Sequence, residues 1–319
     1  METTTFLEDV DRGLSSSPKY LSSKYFYDDQ GDKIFQQIME LDEYYLTKSE
    51  YEVFEQNKDQ ILEAFKNGSS DRFQLLEFGA GDGYKTKVLL RYFLEMKVDF
   101  TYLPIDISSS VLKGLEESLL EELPGLSVCG VAGDYFKVLK KLGEHQDSYR
   151  NVVLFLGANI GNFPLSVSKD FFNNIRKNLG PKDLFLVGFD LKKDPRKILN
   201  AYNDDSGVTS SFNLNLLSRI NKELGGNFQV ENFEHYPVYD PLSGECKSYL
   251  MSLKDQVVTL NGSDKTYHFD KWEPVYMEVS RKFSYREIEQ LGMEAGFVIV
   301  DRFTDSDENF VDVIFQPNS

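Results

Sequence analysis

The stretch LLEFGAGDG, residues 75–83, places three glycines directly after a short apolar run. Glycine is favoured where the backbone turns sharply or must approach a ligand too closely for a Cβ atom. The apolar run predicts a buried strand over residues 73–78, and a helical pattern follows from about Lys85 to Leu94. A strand, a glycine-rich turn and a helix in this order predict a ligand-binding turn at Gly79, Gly81 and Gly83.

The spacing of these glycines narrows the kind of ligand. In the dinucleotide pattern GxGxxG the third glycine would stand at position 84, which is Tyr84 here. An adenosine ligand that is neutral or cationic and carries no pyrophosphate therefore fits better than a dinucleotide.

Two acidic residues follow later apolar runs. Asp106 stands at the end of the apolar run 100–105, where a carboxylate can accept hydrogen bonds from both hydroxyls of a ribose. Asp134, next to Tyr135, follows the run 126–132 and can accept a hydrogen bond from an adenine amino group. These residues predict further contacts to an adenosine.

The order of apolar runs predicts an α/β fold. From about residue 73 to residue 189, strand patterns alternate with helical patterns, which is typical of a parallel sheet covered on both faces. Near the end of the chain, a loop too short for a crossover separates the strands 297–303 and 310–315, so they must be antiparallel. We therefore expect a parallel sheet that ends in an antiparallel hairpin.

A second, α+β unit is predicted around this sheet. Helical patterns over residues 32–41 and 49–66 flank the aromatic segment 43–47, for which we expect a turn. After the amphipathic pattern 208–224, β-rich segments with short polar turns predict an antiparallel sheet. We expect residues 1–55 with 193–281 to form a substrate-binding domain, and residues 56–192 with 282–319 to form the cofactor domain.

Composition excludes several classes of function. The 35 Lys and Arg residues against 52 Asp and Glu give a net charge of −17, which disfavours a nucleic-acid-binding surface. Two cysteines and three isolated histidines form no metal-binding pattern, so no metal is expected. The first residues lack the apolar core of a secretion signal, and no apolar run approaches the roughly 18 residues of a membrane span. We expect a cytoplasmic monomer that binds a small molecule and no membrane.

The glycine turn, the two acids and the terminal hairpin resemble the class I S-adenosylmethionine-dependent methyltransferases. The resemblance implies a Rossmann-like sheet and S-adenosylmethionine as methyl donor, with S-adenosylhomocysteine as product. A nicotinamide or flavin cofactor, or a fold that has lost its ligand, are the alternatives for this turn.

Longer motifs resemble one family in particular, the L-histidine Nα-methyltransferases, which form hercynine (histidine betaine) on the route to ergothioneine. The motifs occur in order along nearly the whole chain: YFYD at 25–28, EYYLTKSE at 43–50, FLGANIGN at 155–162, GFDLKKD at 188–194, AYND at 201–204 and GVT at 207–209. The resemblance implies that the chain trimethylates the α-amine of L-histidine.

The resemblance also implies site residues. On the cofactor side these are Gly79, Gly81, Gly83, Lys85, Asp106, Asp134 and Tyr135. On the substrate side they are Tyr27, Tyr44, Gly157, Asn162, Tyr202, Met251, Glu278 and Ser280. Tyr27 is the candidate catalytic residue, either as a proton acceptor or as an orienting hydrogen bond. Asn162 and Tyr202 are expected to bind the carboxylate or amine end of histidine. Glu278 and Ser280 are expected to bind the imidazole, with Met251 beside the ring.

Two other functions remain open at this point. An N-methyltransferase of the same family that acts on another amino acid, such as a tryptophan derivative, would share the cofactor motifs. A non-catalytic protein that binds S-adenosylmethionine or an amino acid would share them too. Turnover distinguishes the second from an enzyme, and the acid at Glu278 argues against an apolar substrate ring.

Overall fold

The computed structural model describes residues 3–66, 72–106, 109–133, 135–143 and 149–318. Its helices are α1 (Thr3–Leu14), α2 (Asp29–Glu40), α3 (Tyr45–Lys66), α4 (Thr86–Glu95), α5 (Ser109–Glu122), α6 (Tyr135–Gly143), α7 (Leu165–Asn178), α8 (Pro195–Asn200), α9 (Val208–Leu224) and α10 (Tyr285–Glu294). Its strands are β1 (Phe73–Phe78), β2 (Phe100–Asp106), β3 (Val131–Ala132), β4 (Arg150–Phe155), β5 (Leu184–Asp190), β6 (Phe233–Asp240), β7 (Glu245–Ser252), β8 (Gln256–Thr259), β9 (Thr266–Phe269), β10 (Pro274–Arg281), β11 (Phe297–Thr304) and β12 (Phe310–Pro317). Among the helices of these ranges, none combines the length and apolar composition that a bilayer crossing requires.

The chain divides into two compact units. Unit 1 comprises Met1–Tyr45 and Lys193–Arg281, and unit 2 comprises Leu46–Lys192 and Lys282–Ser319. The first boundary lies ten residues before the expected one, because α3 is one continuous helix that begins at Tyr45.

Unit 2 contains a seven-stranded sheet in the order β11-β12-β5-β4-β1-β2-β3. The pairs among β1 to β5 are parallel, whereas β12 is antiparallel to both β5 and β11. The predicted parallel sheet with a terminal antiparallel hairpin is thus confirmed. The strand order reverses between β1 and β4, and in open α/β sheets ligands bind beside the carboxyl ends of the strands at such a point.

Alternation of side chains builds the core on both faces of this sheet. In β4, Val152 and Leu154 join one apolar cluster, while Val153 and Phe155 join the other. Every residue of β5 is buried. Apolar residues on both faces explain why these strands are nearly continuous apolar runs in the sequence.

A buried ion pair holds the end of β5. The side chains of Lys282 and Asp190 are both fully buried, with 2.7 Å between Nζ and Oδ2. The backbone N–H of Phe283 also donates to the carbonyl of Asp190 at 2.9 Å. Removing one partner of such a pair leaves an uncompensated buried charge, which costs about 3–5 kcal/mol.

Unit 1 contains a three-stranded antiparallel sheet, in the order β10-β7-β6, and the separate hairpin β8-β9. One apolar cluster joins this sheet to α1, α2 and α9, with Phe26, Phe212, Leu250 and Met277 among its members. The amphipathic pattern over residues 208–224 correctly predicts α9, and the β-rich segments form two sheets rather than one.

Local contacts explain two differences from the sequence predictions. The aromatic segment 43–47 is not a turn throughout, since α3 already begins at Tyr45. The strand predicted over 126–132 is reduced to Val131–Ala132 and an isolated bridge between Tyr102 and Val128. The ladder is interrupted at Gly130, whose N–H donates to the side chain of Glu116. Helices α1, α6 and α8 were not among the predicted elements.

Substituting Gly31 with alanine tests the packing at the start of α2. A Cβ atom there would lie 1.8 Å from the carbonyl oxygen of Phe26, and the Gly31 N–H donates to the capping side chain of Asp28 at 2.7 Å. We expect Gly31→Ala to destabilise the protein by about 1–3 kcal/mol, measured as a lower midpoint of thermal unfolding.

The matched control is Gly114→Ala in α5, where a Cβ atom would have no neighbour within 4 Å. Alanine is favoured over glycine by about 0.5–1 kcal/mol inside a helix, so this change should not lower the midpoint. Equal losses in both variants would contradict the packing described for Gly31.

Candidate active site

The glycine-rich turn follows β1 directly and has the backbone that its sequence predicts. The φ angles of Gly79, Gly81 and Gly83 are +69°, +58° and +67°, in the left-handed region that favours glycine. A Cβ atom at Gly81 would have nothing within 4 Å, so the space beside the turn is open. The turn can therefore accept a ligand in direct contact with its backbone.

Tyr135 and Asp106 lie close to this turn. A Cβ atom at Gly79 would be 3.2 Å from the Tyr135 hydroxyl, and the Tyr135 ring stacks on Phe78 with 4.6 Å between centroids. Burial, with a smaller contribution from the charge of Asp106, raises the pKa of Tyr135 to about 12. The structure thus brings Gly79, Asp106 and Tyr135 together. Asp134 lies outside the described residues.

A second group surrounds Lys85. The ammonium of Lys85 forms an ion pair with the fully buried carboxylate of Glu50. The same carboxylate accepts the N–H of Gly157, at 2.8 Å to Oε1 and 3.0 Å to Oε2. Gly157 follows β4 with φ +74°, and Asn162 is exposed at the end of the 3₁₀ turn Asn159–Asn162. Glu50 was not predicted as a site residue: it ends the motif at 43–50, but the helical pattern of α3 does not distinguish it from other acids.

A buried acid beneath the turn was also missed. Glu77 of β1 accepts hydrogen bonds from the hydroxyls of Tyr102, at 2.6 Å, and Thr86, at 2.9 Å. Burial raises the pKa of Glu77 to about 7, while the two hydrogen bonds act in the opposite direction. Glu77 therefore ties β1 to β2 and to the first residue of α4, and it fixes the base of the turn.

In unit 1, aromatic rings surround Tyr27. Its ring meets Phe35 and Phe212 edge to face, with 5.5 Å and 5.7 Å between centroids. Phe35 in turn meets Tyr44 at 6.3 Å. The two predicted tyrosines thus share one aromatic group, to which α2 contributes Phe35 and α9 contributes Phe212.

The Tyr27 hydroxyl is a hydrogen-bond donor at neutral pH. The side chain is 51% exposed, and its ring packs against Phe35 and Phe212. Burial raises the pKa of Tyr27 well above its usual value, and the charges of Glu278 and Asp32 raise it further. A protonated phenol favours the orienting role over that of a proton acceptor.

A bulge in β10 decides where Glu278 and Ser280 point. The register with β7 shifts between Tyr276 and Glu278, so Glu278 lies opposite Ser248 and Ser280 lies opposite Cys246. Because directly opposite residues share a face, both side chains lie on the same face as the core residue Leu250.

Hydrogen bonds connect this polar pair to its neighbours. The Ser248 hydroxyl donates to Glu278 Oε1 at 3.3 Å, and the Tyr202 hydroxyl donates to Ser280 Oγ at 2.7 Å. Glu278 and Ser280 therefore lie on one strand face, and Tyr202 is hydrogen-bonded to Ser280. Tyr27 is close enough to Glu278 for the charge of Glu278 to raise the pKa of Tyr27.

Met251 does not belong to this group. It lies opposite Pro274 and Glu234, which places it on the other face of the three-stranded sheet from Leu250, Glu278 and Ser280. The sequence pattern does not reveal this placement, since the period-2 alternation of β7 and the bulge in β10 together set the face of each side chain.

A family described as histidine-specific, S-adenosylmethionine-dependent methyltransferases matches residues 6–317. The chain belongs to this family. Its sheet order and terminal antiparallel hairpin are those of the class I methyltransferase fold expected from the sequence.

Curated proteins are similar in sequence to this chain over most of its length. The histidine Nα-methyltransferase of Mycolicibacterium smegmatis is 32% identical, covering 95% of this chain and 92% of the relative. Ergothioneine biosynthesis protein 1 of Schizosaccharomyces pombe is 29% identical, covering 89% of this chain and 37% of the relative. An L-tryptophan methyltransferase of Psilocybe serbica is 26% identical, covering 90% of this chain and 86% of the relative.

The residues at the carboxyl edge of the unit 2 sheet fit S-adenosylmethionine. The open side of the glycine turn suits close backbone contact, Asp106 suits the ribose hydroxyls, and the Lys85 ammonium suits a carboxylate. The cofactor supplies an electrophilic methyl group on a sulfonium, so the protein needs to hold and orient it.

Thermal unfolding with S-adenosylhomocysteine tests this site. At a ligand concentration about 100 times its Kd, binding should stabilise the protein by about 2.7 kcal/mol and raise the unfolding midpoint. We expect Asp106→Asn to lose most of this shift. Asp99→Asn, a matched charge change in the exposed residue before β2, should retain it. A shift with NAD and none with S-adenosylhomocysteine would contradict the site.

Proposed function

We propose that this protein transfers three methyl groups in succession from S-adenosylmethionine to the α-amine of L-histidine and so forms hercynine. Membership of the histidine-specific family supports the substrate. The arrangement of Glu278 and Ser280 is the observation that carries the proposal for this chain.

Glu278 and Ser280 suit the two nitrogens of an imidazole. They are two residues apart on one strand face, which separates them by about 7 Å. A neutral imidazole has one N–H donor and one acceptor nitrogen. Glu278 accepts from the N–H, and Ser280 donates to the other nitrogen while its oxygen accepts from Tyr202. An apolar ring would offer Glu278 no hydrogen-bond donor, so the pair favours histidine.

The aromatic group around Tyr27 suits the reacting end. Methyl transfer is an in-line displacement, for which the amine lone pair must be held close to the sulfonium and aligned with it. The Tyr27 hydroxyl orients the amine by accepting one of its N–H groups, which leaves the nitrogen lone pair for the transfer, or it donates to the substrate carboxylate. The rings of Tyr27 and Tyr44 then face a nitrogen that becomes a quaternary ammonium, which aromatic faces attract by cation–π interaction.

The remaining assignments follow the resemblance. Asn162 and Tyr202 bind the carboxylate or amine end of histidine, and Gly157 belongs to the substrate site. The cofactor is held by Gly79, Gly81, Gly83, Lys85, Asp106, Asp134 and Tyr135. Met251 is left out of the substrate site because of the face on which it lies.

Replacing Glu278 with alanine should separate substrate recognition from cofactor binding. A hydrogen bond to a charged group is worth about 1.5–3 kcal/mol, so the KM for histidine should rise at least about tenfold. The Kd for S-adenosylhomocysteine, measured by calorimetry, should stay unchanged.

Glu234→Ala is the matched control, because Glu234 is exposed and lies on the opposite sheet face. It should leave the KM for histidine unchanged. Equal losses of histidine and cofactor affinity in Glu278→Ala would count against the proposed role. Methylation of tryptophan but not histidine by the unaltered protein would instead support the related N-methyltransferase activity.

A further inference from the structure

Four consecutive residues at the start of α3 attach this helix to three loops of unit 2. Ser49 donates to Asp305 at 3.2 Å, and Glu52 accepts the backbone N–H of Ser306 at 3.1 Å, both in the loop between β11 and β12. Between them, Glu50 and Tyr51 contact the loop after β4 and the end of the glycine-rich turn, residues 79–85, which is called the cofactor turn below. Residues 49–52 therefore connect α3 to these three loops.

Tyr51 and Glu50 contact two consecutive residues of the cofactor turn, Tyr84 and Lys85. The Tyr51 ring stacks on Tyr84, with 5.1 Å between centroids and 25° between planes. Glu50 pairs with the next residue, Lys85, and also accepts the N–H of Gly157. One buried carboxylate thus holds two groups that flank the point where the strand order reverses.

The fold makes room for this carboxylate. A Cβ atom at Gly188 in β5 would lie 2.3 Å from Glu50 Oε1, so only glycine at position 188 leaves space for the Glu50 side chain. Asp312, which lies opposite Gly188 in β12, is fully buried beside the same group.

Charge balance points to Glu50 as the partner of Lys85. Burial, together with the charge of Glu50, raises the pKa of Asp312 well above its usual value, while the charge of Lys85 acts in the opposite direction. Its two oxygens have no hydrogen-bond partner among the residues that the structure describes. Glu50, which contacts the Lys85 ammonium directly, is therefore the carboxylate that balances it.

We propose that Glu50 is a positioning residue for the methyl donor: it fixes the Lys85 ammonium and the Gly157 N–H so that Lys85 meets the donor's carboxylate. This inference rests on the proposed function only for the identity of the donor. It assigns Glu50 no contact with the reacting atoms, since its oxygens are occupied by Lys85 and Gly157.

A double-mutant cycle on binding of S-adenosylhomocysteine tests this role without any methyl acceptor. Glu50→Gln keeps the size of the side chain and an oxygen for Gly157, but it loses the ion pair with Lys85. We expect the Kd to rise about tenfold, the equivalent of one charged hydrogen bond. In a Lys85→Met background the same change should have little further effect, because Glu50 acts through Lys85.

Two further variants separate positioning from folding. Glu50→Asp keeps the charge and should recover part of the lost affinity. Glu52→Gln, the neighbouring acid that contacts Ser306 and not the cofactor turn, should leave the Kd unchanged. Should Glu50→Gln fail to fold, the comparison of Glu50→Asp with and without Lys85→Met supplies the same coupling.

An unchanged Kd in Glu50→Gln, or equal losses with and without Lys85, would overturn the proposal. The test is distinct from that of the substrate, since a protein that binds S-adenosylhomocysteine through Glu50 and Lys85 but does not methylate histidine would refute only the proposed function. A protein that binds no S-adenosylhomocysteine would refute both.

Discussion

Parallel pairing of β1, β2 and β4 is the constraint on which the cofactor site depends. Because parallel strands end at the same edge of a sheet, the turn after β1, Asp106 at the end of β2 and Gly157 after β4 must lie along one edge. Residues far apart in the chain are thereby brought together before any ligand contact is made. Buried acids then hold the loops in place, with Glu77 beneath the glycine turn and Glu50 between Lys85 and Gly157.

The placement of the polar pair in unit 1 depends on a local irregularity, the bulge in β10. Strict alternation in β10 would place Val275, Met277 and Val279 on one face and the polar residues on the other. The bulge between Tyr276 and Glu278 reverses this order, so Glu278 and Ser280 share the face of Val275 and Leu250. A carboxylate and a hydroxyl thus stand beside an apolar cluster, where polar recognition is stronger than in water.

Much of this arrangement could be predicted from the sequence, for physical reasons that differ between the units. The buried strands of unit 2 are long apolar runs, and the three glycines of the turn need positive φ angles, so both leave clear patterns. The short loop before β12 required the antiparallel hairpin that is observed. The family motifs then named side chains that the structure does bring close together, such as Tyr202 with Ser280.

What could not be predicted involves tertiary contacts without a local pattern. The bulge in β10 has no sequence signal, and Met251 consequently looked suitable for a site from which its sheet face excludes it. Glu50 resembles any helix acid until its contacts with Gly188, which has no side chain to exclude it, and with the N–H of Gly157 are known. The interruption of the strand pairing just before β3 involves a side chain, Glu116, that accepts the backbone N–H of Gly130.

The most direct measurement is mass spectrometry of an amino-acid mixture incubated with the protein and S-adenosylmethionine. The account predicts that L-histidine alone gains mass, and that it ends with three added methyl groups on the α-amine. Histidine that stays unmodified while another amino acid is methylated would contradict the roles of Glu278 and Ser280. The absence of methylation on every amino acid would contradict the proposed activity itself.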